Sequence, residues 1–387
     1  MAVAGAIGVI TSAELADNAV TTDKLIDDAV TNPKILDETI TDAKLDNPKR
    51  RNLIINGDMR INQRGFASDV DNDYTVDRFV YQSSQGDKFT ITQDTDTPSG
   101  EGFVNSLKFV TASAVSVGAS DYFMISQPIE GFNTALLRLG TSSAKTFTLS
   151  FWTRSSLTGT FGGAMGNAGT RYYPFTYTID SADTWERKTI TVAGDTTGTW
   201  ATDNSHGLIV RFGLGVGSTK SGTAGAWAAG EFFSATGATS VVGTGSATWY
   251  ITGVQLEVGS TASDFDFESY DQTLRKCYRY YYQSDGSSAE FKIHGSGTIF
   301  QTTNADICMD LPVQTRSVPT VATANTAIQA GATTYAVTGI SEVSGTDGGL
   351  DRLFLRCSTG GTMTVAQACI LTNNNNAGGK ITVSSEL

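Results

Sequence analysis

The stretch "KTFTLSFWTRS", residues 145–155, alternates apolar and polar side chains with a period of two residues. Phe147, Leu149 and Phe151 lie on one face, and Trp152 lies with the polar side chains on the other. Successive side chains of a β-strand point to opposite faces of its sheet. The stretch therefore predicts a strand that covers one side of a hydrophobic core.

Similar segments recur from about residue 75 to residue 258, separated by turns rich in Gly, Ser and Thr. They include "DRFVYQ", "KFTITQ", "NSLKFVTA", "DYFMISQPI", "YPFTYTI", "WERKTITVAG", "GLIVRFGLGV" and "ATWYITGVQLEVG". Within them, the segment "GFNTALLRL", residues 131–139, predicts one or two helical turns. Strands at this spacing, without long helices between them, are typical of a β-sandwich of the jelly-roll type.

Shorter segments flank the predicted sandwich strands. At the start of the sandwich, before these strands, "NLIING", residues 52–57, predicts a strand that ends in an Asn-Gly hairpin turn. After the sandwich, Leu274, Cys277, Tyr278 and Tyr281 follow helical spacing, which predicts a connector helix. Residues 284–387 again contain short strands. We therefore predict an all-β protein with three parts: a repeat stalk (1–48), a jelly-roll β-sandwich (49–270), and a connector helix with a small C-terminal β tip (271–387).

The predicted stalk contains a ten-residue repeat, in which "AELADNAVTT", "DKLIDDAVTN" and "PKILDETITD" align without gaps. An apolar residue stands at every fifth position. This spacing forms no stripe on an α-helix and changes face along a flat strand. One such unit cannot bury its few apolar side chains alone, so it needs neighbouring copies.

We predict that three identical chains wrap together in this stalk, with the five-residue register on the common axis. The predicted axis residues are Leu15, Val20, Leu25, Val30, Ile35, Ile40 and Leu45. The alternative is a disordered acidic tail, since the segment is rich in Asp and Glu. Disordered segments rarely keep so regular an apolar register, which favours the stalk.

Composition excludes several classes of protein. The formal net charge of -12 argues against nucleic-acid binding, which needs basic surfaces. The sequence has no run of 18 apolar residues, so we expect no membrane insertion. The first residues lack the basic segment of a secretory signal, which predicts folding in the cytoplasm of the producing cell. The four cysteines have no metal-like spacing and are predicted to be free thiols.

Three segments together resemble the tail-fibre and receptor-binding proteins of tailed bacteriophages. They are "ELADNAVTTDKL" in the stalk, the collar "NLIINGDMRINQRG", and "WYITGVQLEVGSTASDFDFESYDQTLRKCYRYY" at the end of the sandwich. The resemblance implies a carbohydrate-binding-module-like jelly roll and a small β tip. It also implies a homotrimer on the virion that is assembled in the host cytoplasm. Its N-terminus would join a tail or baseplate protein, and it would bind polysaccharide or lipopolysaccharide on the host surface.

Residues suited to catalysis are sparse. His206 and His294 lie in no hydrolase or metalloprotease motif, and we predict structural or surface roles for them. The segment "SDFDFES" places Asp264, Asp266 and Glu268 at alternating positions. These carboxylates are interpreted as a solvated strand face, with glycoside hydrolysis or a structural Ca²⁺ site as alternatives. The sequence therefore predicts no enzyme, no catalytic residue, no cofactor and no metal site.

Carbohydrate binding requires fewer specialised residues than catalysis does. It needs exposed aromatic faces beside polar groups. Trp200 and Trp227 lie in loops rich in Gly, Thr and Ala, and Tyr172 and Tyr173 are similar. These four are the candidate ligand-binding residues. A packed loop anchor or a trimer contact is the alternative for each. Trp152, Trp185 and Trp249 lie in predicted strands, where a core role is favoured.

The sequence thus predicts a phage tail fibre that binds host surface glycans. A polysaccharide depolymerase and a spacer fibre without receptor binding are the rival functions. A depolymerase typically carries a long solenoid with paired carboxylates, and no repeat of that length is present.

The stalk prediction is tested by replacing Leu25 and Val30 with Asp. Each buried aliphatic side chain contributes about 1.5–3 kcal/mol, and the loss is repeated in all three chains. Native mass spectrometry should find three chains per particle for the unaltered protein and smaller species for the double variant, while circular dichroism of the sandwich stays unchanged. A stable monomer of the unaltered protein at micromolar concentration would contradict the prediction.

Overall fold

The fold is all-β, as predicted. The computed structural model describes residues 52–65, 73–167, 169–284, 291–343 and 351–387. All the described residues belong to one compact unit. The stalk and its axis residues lie outside the described residues, so the trimer axis stays a prediction, as do the three domain boundaries.

The sandwich contains the first fourteen strands of the described ranges. They are β1 (Asp73–Tyr74), β2 (Val80–Ser83), β3 (Phe89–Asp94), β4 (Ser106–Thr111), β5 (Tyr122–Glu130), β6 (Phe147–Ser155), β7 (Gly159–Gly166), β8 (Arg171–Ile179), β9 (Glu186–Val192), β10 (His206–Val216), β11 (Ser221–Gly222), β12 (Ala228–Ala229), β13 (Ser234–Ala235) and β14 (Thr248–Val258).

Two antiparallel sheets form this sandwich. The larger sheet has the order β1-β2-β5-β10-β7-β8-β12, and the smaller sheet has the order β3-β4-β14-β6-β9. Strands β11 and β13 form a separate parallel pair. Neighbours in each sheet are mostly distant in sequence, as expected where strands pass between two layers.

The core lies between the two sheets, as the alternation in β6 predicted. Phe147, Leu149 and Phe151 are fully buried. The Phe151 ring meets the Tyr177 and Phe212 rings edge-on, with centroids 5.0 and 4.9 Å away. The opposite sheet thus supplies the aromatic partners for this strand. Each such aromatic pair stabilises the fold by about 0.5–1.5 kcal/mol, in addition to the stabilisation from burying the apolar surface of the rings.

Both predicted helical segments are present. Helix α1 (Gly131–Thr134) continues into a 3₁₀ turn (Ala135–Leu137), and a second 3₁₀ turn spans Ser218–Lys220. Helix α2 spans Tyr270–Tyr278, and Ser269 with Gln272 forms a capping box at its start. The expectation that Tyr281 continues this helix is wrong, because its backbone pairs with Ser384 in a sheet.

The C-terminal part is a β structure with its own core. Its strands are β15 (Tyr281–Gln283), β16 (Ile293–Gln301), β17 (Asn304–Asp310), β18 (Thr320–Ala324), β19 (Ala327–Ala330), β20 (Thr333–Glu342), β21 (Arg352–Thr359), β22 (Ala368–Thr372) and β23 (Lys380–Ser384). The order β16-β17-β21-β20-β19-β22 closes into a barrel, and β15-β23-β18 form a small sheet. All four cysteines are free thiols, and Cys357 and Cys369 are buried in the barrel core.

The collar, residues 52–65, is neither the strand nor the hairpin that we expected. It makes isolated backbone hydrogen bonds with β14, such as Leu53 N to Leu256 O at 2.9 Å. Asn56 takes a positive φ of 61° and is buried. Its amide group donates to the carbonyls of Ile61 and Asp77, both at 2.9 Å. These side-chain bonds replace the ladder that a hairpin would have formed.

A buried charged cluster, which we call the junction cluster, joins the sandwich to the C-terminal strands. It comprises Arg64, Asp77, Arg78, Tyr280 and Glu386. Arg78 is 1% exposed, forms an ion pair with Glu386 and donates to the Pro128 carbonyl at 2.9 Å. Its guanidinium lies over the Tyr280 ring, 3.6 Å from the centroid. Arg64 forms a second ion pair with Glu386, at 3.0 Å.

Arg316 extends this cluster to a loop of the sandwich. Its guanidinium donates to the carbonyls of Ser385 and Glu386, at 2.8 and 2.7 Å. It also donates to the Asn204 carbonyl, and the Asn204 amide donates back to the Arg316 carbonyl, both at 2.9 Å. The C-terminal residues are therefore tied to the loop that precedes β10.

Asp77 makes the stability of the folded protein depend on pH. Burial raises the pKa of its carboxyl from 3.8 to about 6, although hydrogen bonds from Gln63 oppose the shift. The folded chain therefore binds this proton more tightly than the unfolded chain. The resulting stabilisation is fully present below pH 3.8 and is lost as pH rises through about 6.

We predict that Asp77→Asn removes this pH dependence. The amide oxygen can still accept the Gln63 backbone N–H, which lies 2.9 Å from the carboxylate. Between pH 4 and pH 7 the variant should gain about 1–3 kcal/mol of unfolding free energy relative to the unaltered protein. Urea unfolding at several pH values measures this difference. The exposed Asp351→Asn variant is the control, and parallel pH curves for Asp77→Asn and the unaltered protein would contradict the prediction.

Candidate functional site

Three of the four predicted ligand-binding side chains form one aromatic cluster. The Trp200 and Trp227 rings stand perpendicular to each other, with centroids 5.4 Å apart, and Tyr173 meets Trp227 at the same distance. The Trp200 indole N–H donates to the Thr197 carbonyl at 3.0 Å, and that of Trp227 donates to the Ala193 carbonyl at 2.7 Å. Both indoles are half-buried and fixed in direction.

The loop that carries Trp200 is held by Asp195, which is buried. Its carboxylate accepts a bidentate pair of hydrogen bonds from Arg171, at 2.7 and 3.0 Å. It also accepts the Thr197 backbone N–H at 3.0 Å. Partial burial raises the pKa of Asp195, but these bonds outweigh burial and lower it below its usual range. The loop is therefore anchored by a charge that persists at neutral pH.

An open cleft of about 460 Å³ lies against Trp200, and we call it the Trp200 cleft. Hydroxyl groups, one guanidinium and small apolar groups surround the indole. The lining residues are Thr134, Ala135, Arg138, Leu139, Thr141, Ser143, Trp200, Ala201 and Thr202. Arg138 is exposed and takes a left-handed φ of 54° directly after the 3₁₀ turn. The end of the helical segment, the residues that follow it and the Trp200 loop thus together line the cleft.

Tyr172 corrects one of our predictions. Its side chain is fully buried and does not share a surface with the aromatic cluster. Tyr172 and Tyr173 are neighbours in β8, so their side chains point to opposite faces of the sheet. The Arg211 guanidinium lies over the Tyr172 ring, 4.9 Å from the centroid. Tyr172 is thus a packing residue in contact with a small cluster that includes Phe232, and its ring is not available to a ligand.

Trp227 lies behind Trp200 and does not line the cleft. It packs against the sandwich core, 6.5 Å from the Phe147 ring. This packing fits the loop-anchor interpretation that the sequence left open. Trp200 is the predicted aromatic residue that borders open space.

The histidines and carboxylates that the sequence offered for catalysis or metal binding do not line the Trp200 cleft. His206 and His294 are half-buried, and burial lowers the pKa of each. Glu268 forms an ion pair with Lys276 of α2, whereas Asp264 and Asp266 are exposed. Among the described residues, no group of three His, Cys, Asp or Glu side chains is placed to hold a metal ion. Within the same residues, no helix is long and apolar enough to cross a membrane.

Sequence reasoning misplaced two tryptophans. Trp249 is in the core, as expected, but Trp152 and Trp185 lie on the outer face of the smaller sheet and are half-buried. The Trp185 indole N–H donates to the Asp96 carboxylate at 3.0 Å. The alternation in "FTLSFWTRS" already placed Trp152 opposite Phe147 and Phe151, so that signal was sufficient to find it. No comparable sequence pattern indicated that Arg138 would lie at the candidate site.

The chain shows only limited similarity to known proteins. No protein-family model and no curated protein matches the chain. Solved structures that are similar over about half of the chain include a phage tailspike domain, a candidate sugar-binding protein and a carbohydrate-binding module. The enzymatically active domain of tailspike protein 4 from bacteriophage CBA120 has 12% identity and a TM-score of 0.30, over 54% of this chain and 21% of that chain.

The other two structures are matched over almost their whole length. A candidate sugar-binding protein from Bacteroides thetaiotaomicron has 10% identity and a TM-score of 0.33, over 54% of this chain and 100% of its own. A family 11 carbohydrate-binding module from Clostridium thermocellum, in complex with a mixed-linked tetrasaccharide, has 11% identity and a TM-score of 0.27, over 51% and 96%. Likeness at this level assigns no function to the chain.

Gly140 fixes the Trp200 wall of the cleft. It has a φ of +79°, and a Cβ at this position would lie 2.6 Å from the Gly198 carbonyl oxygen and 3.0 Å from Trp200. We predict that Gly140→Ala displaces the Trp200 loop and lowers the unfolding free energy. Gly237→Ala is the matched control, because Gly237 has a φ of +80° and no neighbouring atom within 4 Å.

Both alanine variants share the backbone strain, so their difference isolates the close contact. We expect Gly140→Ala to lose about 1–3 kcal/mol more than Gly237→Ala in urea unfolding. Its tryptophan fluorescence should also shift, which the control should not show. Equal stabilities and unchanged spectra would mean that the loop accommodates the methyl group.

Proposed function

We propose that this protein is a homotrimeric bacteriophage tail fibre that attaches the virion to its host by binding surface carbohydrate in the Trp200 cleft. The observation that carries the proposal is the fixed indole of Trp200 at an open cleft with hydroxyl groups and a guanidinium around it. An aromatic face packs against the apolar face of a pyranose ring, and the polar groups around it bind the sugar hydroxyls.

Rigidity supports this role. The Trp200 indole donates to the Thr197 carbonyl, and the Asp195 carboxylate accepts the Thr197 backbone N–H. Asn204, four residues after Trp200, donates to the Arg316 carbonyl. A wall that is already ordered loses little conformational freedom when a ligand binds, so more of the contact energy appears as affinity.

Charge narrows the proposed ligand class. Arg138 is the charged residue among the described residues that line the cleft. The planar guanidinium binds anionic groups such as carboxylates and phosphates through paired hydrogen bonds. We therefore propose that the cleft binds an acidic host glycan, such as a phosphorylated lipopolysaccharide or a polysaccharide that contains uronic acid.

Adhesion also fits the trimer that the sequence predicts. A single site with millimolar affinity contributes only about -4 kcal/mol of binding free energy. Three copies on one fibre make the second and third binding events intramolecular and raise the overall strength greatly. In this proposal residues 1–48 join a tail or baseplate protein, and the protein is located in the virion after assembly in the host cytoplasm.

The two rival functions give different measurements. A depolymerase releases reducing ends from host polysaccharide, whereas an adhesion protein binds the polysaccharide and leaves it intact. A spacer fibre binds no glycan at all. Reducing-end release and glycan-array binding by the purified full-length chain therefore separate the three functions.

We predict that Trp200→Ala and Arg138→Ala each weaken the binding of acidic oligosaccharides by about tenfold or more, equivalent to about 1.4 kcal/mol. Removal of the indole takes away the stacking surface, and removal of the guanidinium takes away the anionic contact. Arg138→Ala should also make binding less sensitive to salt. Titration calorimetry with the best acidic ligand from an array measures these effects.

Two exposed residues outside the cleft provide matched controls. Tyr270→Ala removes an exposed aromatic ring, and Arg275→Ala removes an exposed guanidinium, both on α2. These variants should bind as the unaltered protein does. Unchanged affinity of Trp200→Ala, with intact thermal unfolding, would overturn the assignment of the cleft.

A further inference from the structure

The outer face of the smaller sheet carries a second aromatic depression, of about 250 Å³, which we call the Trp152 trough. It is lined by Gly100, Glu101, Phe103, Ser150, Trp152, Arg187, Gly253, Asp264, Phe265 and Phe267. It lies on β6, β9 and β14 and on two loops. The trough shares no lining residue with the Trp200 cleft.

Trp152 differs from the other tryptophans in its hydrogen bonding. The indole N–H groups of Trp185, Trp200, Trp227 and Trp249 all donate to protein acceptors. Within the described part of the chain, the Trp152 indole has no such partner. A half-buried aromatic ring with a free donor at the edge of a depression is suited to a polar ligand that also has an apolar face.

An aromatic wall stands beside Trp152. Phe103, Phe265 and Phe267 pack together with centroids 4.8–5.1 Å apart, and Phe267 is 48% exposed. Gly253 has a φ of +62°, and a Cβ there would lie 2.6 Å from Phe103 and 3.1 Å from Trp152. Because residue 253 has no Cβ, Phe103 and Trp152 both approach the backbone of β14 closely, and the two aromatic surfaces meet at this point of the trough.

Buried polar side chains hold the rim of the trough in place. Glu257, which is fully buried, accepts the Ser263 backbone N–H and hydroxyl, both at 2.8 Å. Gln255 donates to the Asp264 carbonyl at 3.1 Å and accepts the Asp266 backbone N–H at 2.9 Å. The segment that carries Asp264 is therefore ordered before any ligand binds.

The charges at this rim differ from those of the Trp200 cleft. Asp264 and Glu101 are exposed, and neither carboxylate has a hydrogen-bond or ion-pair partner among the described residues. Arg187 donates to the Ser263 carbonyl. Two carboxylates beside one guanidinium accept hydrogen bonds from sugar hydroxyls or amines and repel acidic groups.

We propose that the Trp152 trough is a second carbohydrate-binding site, for sugars that carry no acidic group. The inference rests on the proposed function, glycan binding by the sandwich, and extends it to a separate surface with the opposite charge preference. The protein then binds two classes of glycan, acidic sugars in the Trp200 cleft and neutral or amino sugars in the trough.

The experiment compares single variants of the full-length protein. The probes are neutral hexose oligosaccharides and oligosaccharides that contain uronic acid, each measured by titration calorimetry. Trp152→Ala should weaken binding of the neutral probes about tenfold or more and leave the acidic probes unchanged. Trp200→Ala should show the reverse pattern. Trp185→Ala is the matched control, because it removes a tryptophan from the same sheet face outside the trough.

A second variant guards against misfolding of Trp152→Ala. Glu101→Gln combined with Asp264→Asn changes only exposed groups, and it should reduce affinity for neutral probes and relax the rejection of acidic ones. Neutral-probe affinity that is unchanged in both variants overturns the trough. Loss of all binding in Trp200→Ala alone also overturns it, while the proposed function survives. Absence of glycan binding by the unaltered protein overturns both proposals.

Discussion

Arg78 places a full positive charge inside the protein, where it is almost completely removed from water. A buried guanidinium is tolerated when an opposite charge and hydrogen-bond acceptors surround it, and removal of one partner typically costs about 3–5 kcal/mol. Glu386, the Pro128 carbonyl and the Tyr280 ring meet this requirement. They come from the end of the chain, from β5 and from the residues after α2, so neutralising one charge fixes the relative positions of three segments.

This constraint reaches the candidate site through a short series of contacts. Arg316 donates to the carbonyls of Ser385 and Glu386 and also to the carbonyl of Asn204, in the loop that follows Trp200. The cleft therefore stands on a loop that is braced at both ends, by Asp195 before the indole and by Arg316 after it. Binding surfaces of this kind are positioned by rigid parts of a fold while their exposed side chains remain free to vary.

The sequence was most informative where a local period decides the structure. Strand-like segments between turns rich in Gly, Ser and Thr located most of the sandwich strands, and helical spacing located α2, because both patterns depend on neighbouring residues. The same rule placed Trp152 outside the core, although its position in a strand had suggested burial. Tyr172 and Tyr173 looked equivalent in sequence, yet adjacent strand positions face opposite sides.

Contacts between residues that are distant in sequence produce no local pattern from which they could be predicted. Arg138 and Trp200 line one cleft only because the turn after α1 folds beside the 194–202 loop, and no spacing rule connects them. Arg78 and Glu386 likewise stand 308 positions apart. The hairpin expected in the collar does not form for a related reason. The buried Asn56 side chain makes hydrogen bonds in place of those that a hairpin backbone would make.

The separation between Arg78 and Glu386 has a consequence during protein synthesis. At about 5–20 residues per second, a ribosome needs roughly 15–60 s to add the residues between them. Throughout that interval the nascent sandwich contains an arginine whose acidic partner has not been made. Until Glu386 is made, the Arg78 guanidinium lacks the carboxylate that neutralises it, so the junction excludes water only after the residues that follow β23 have been added.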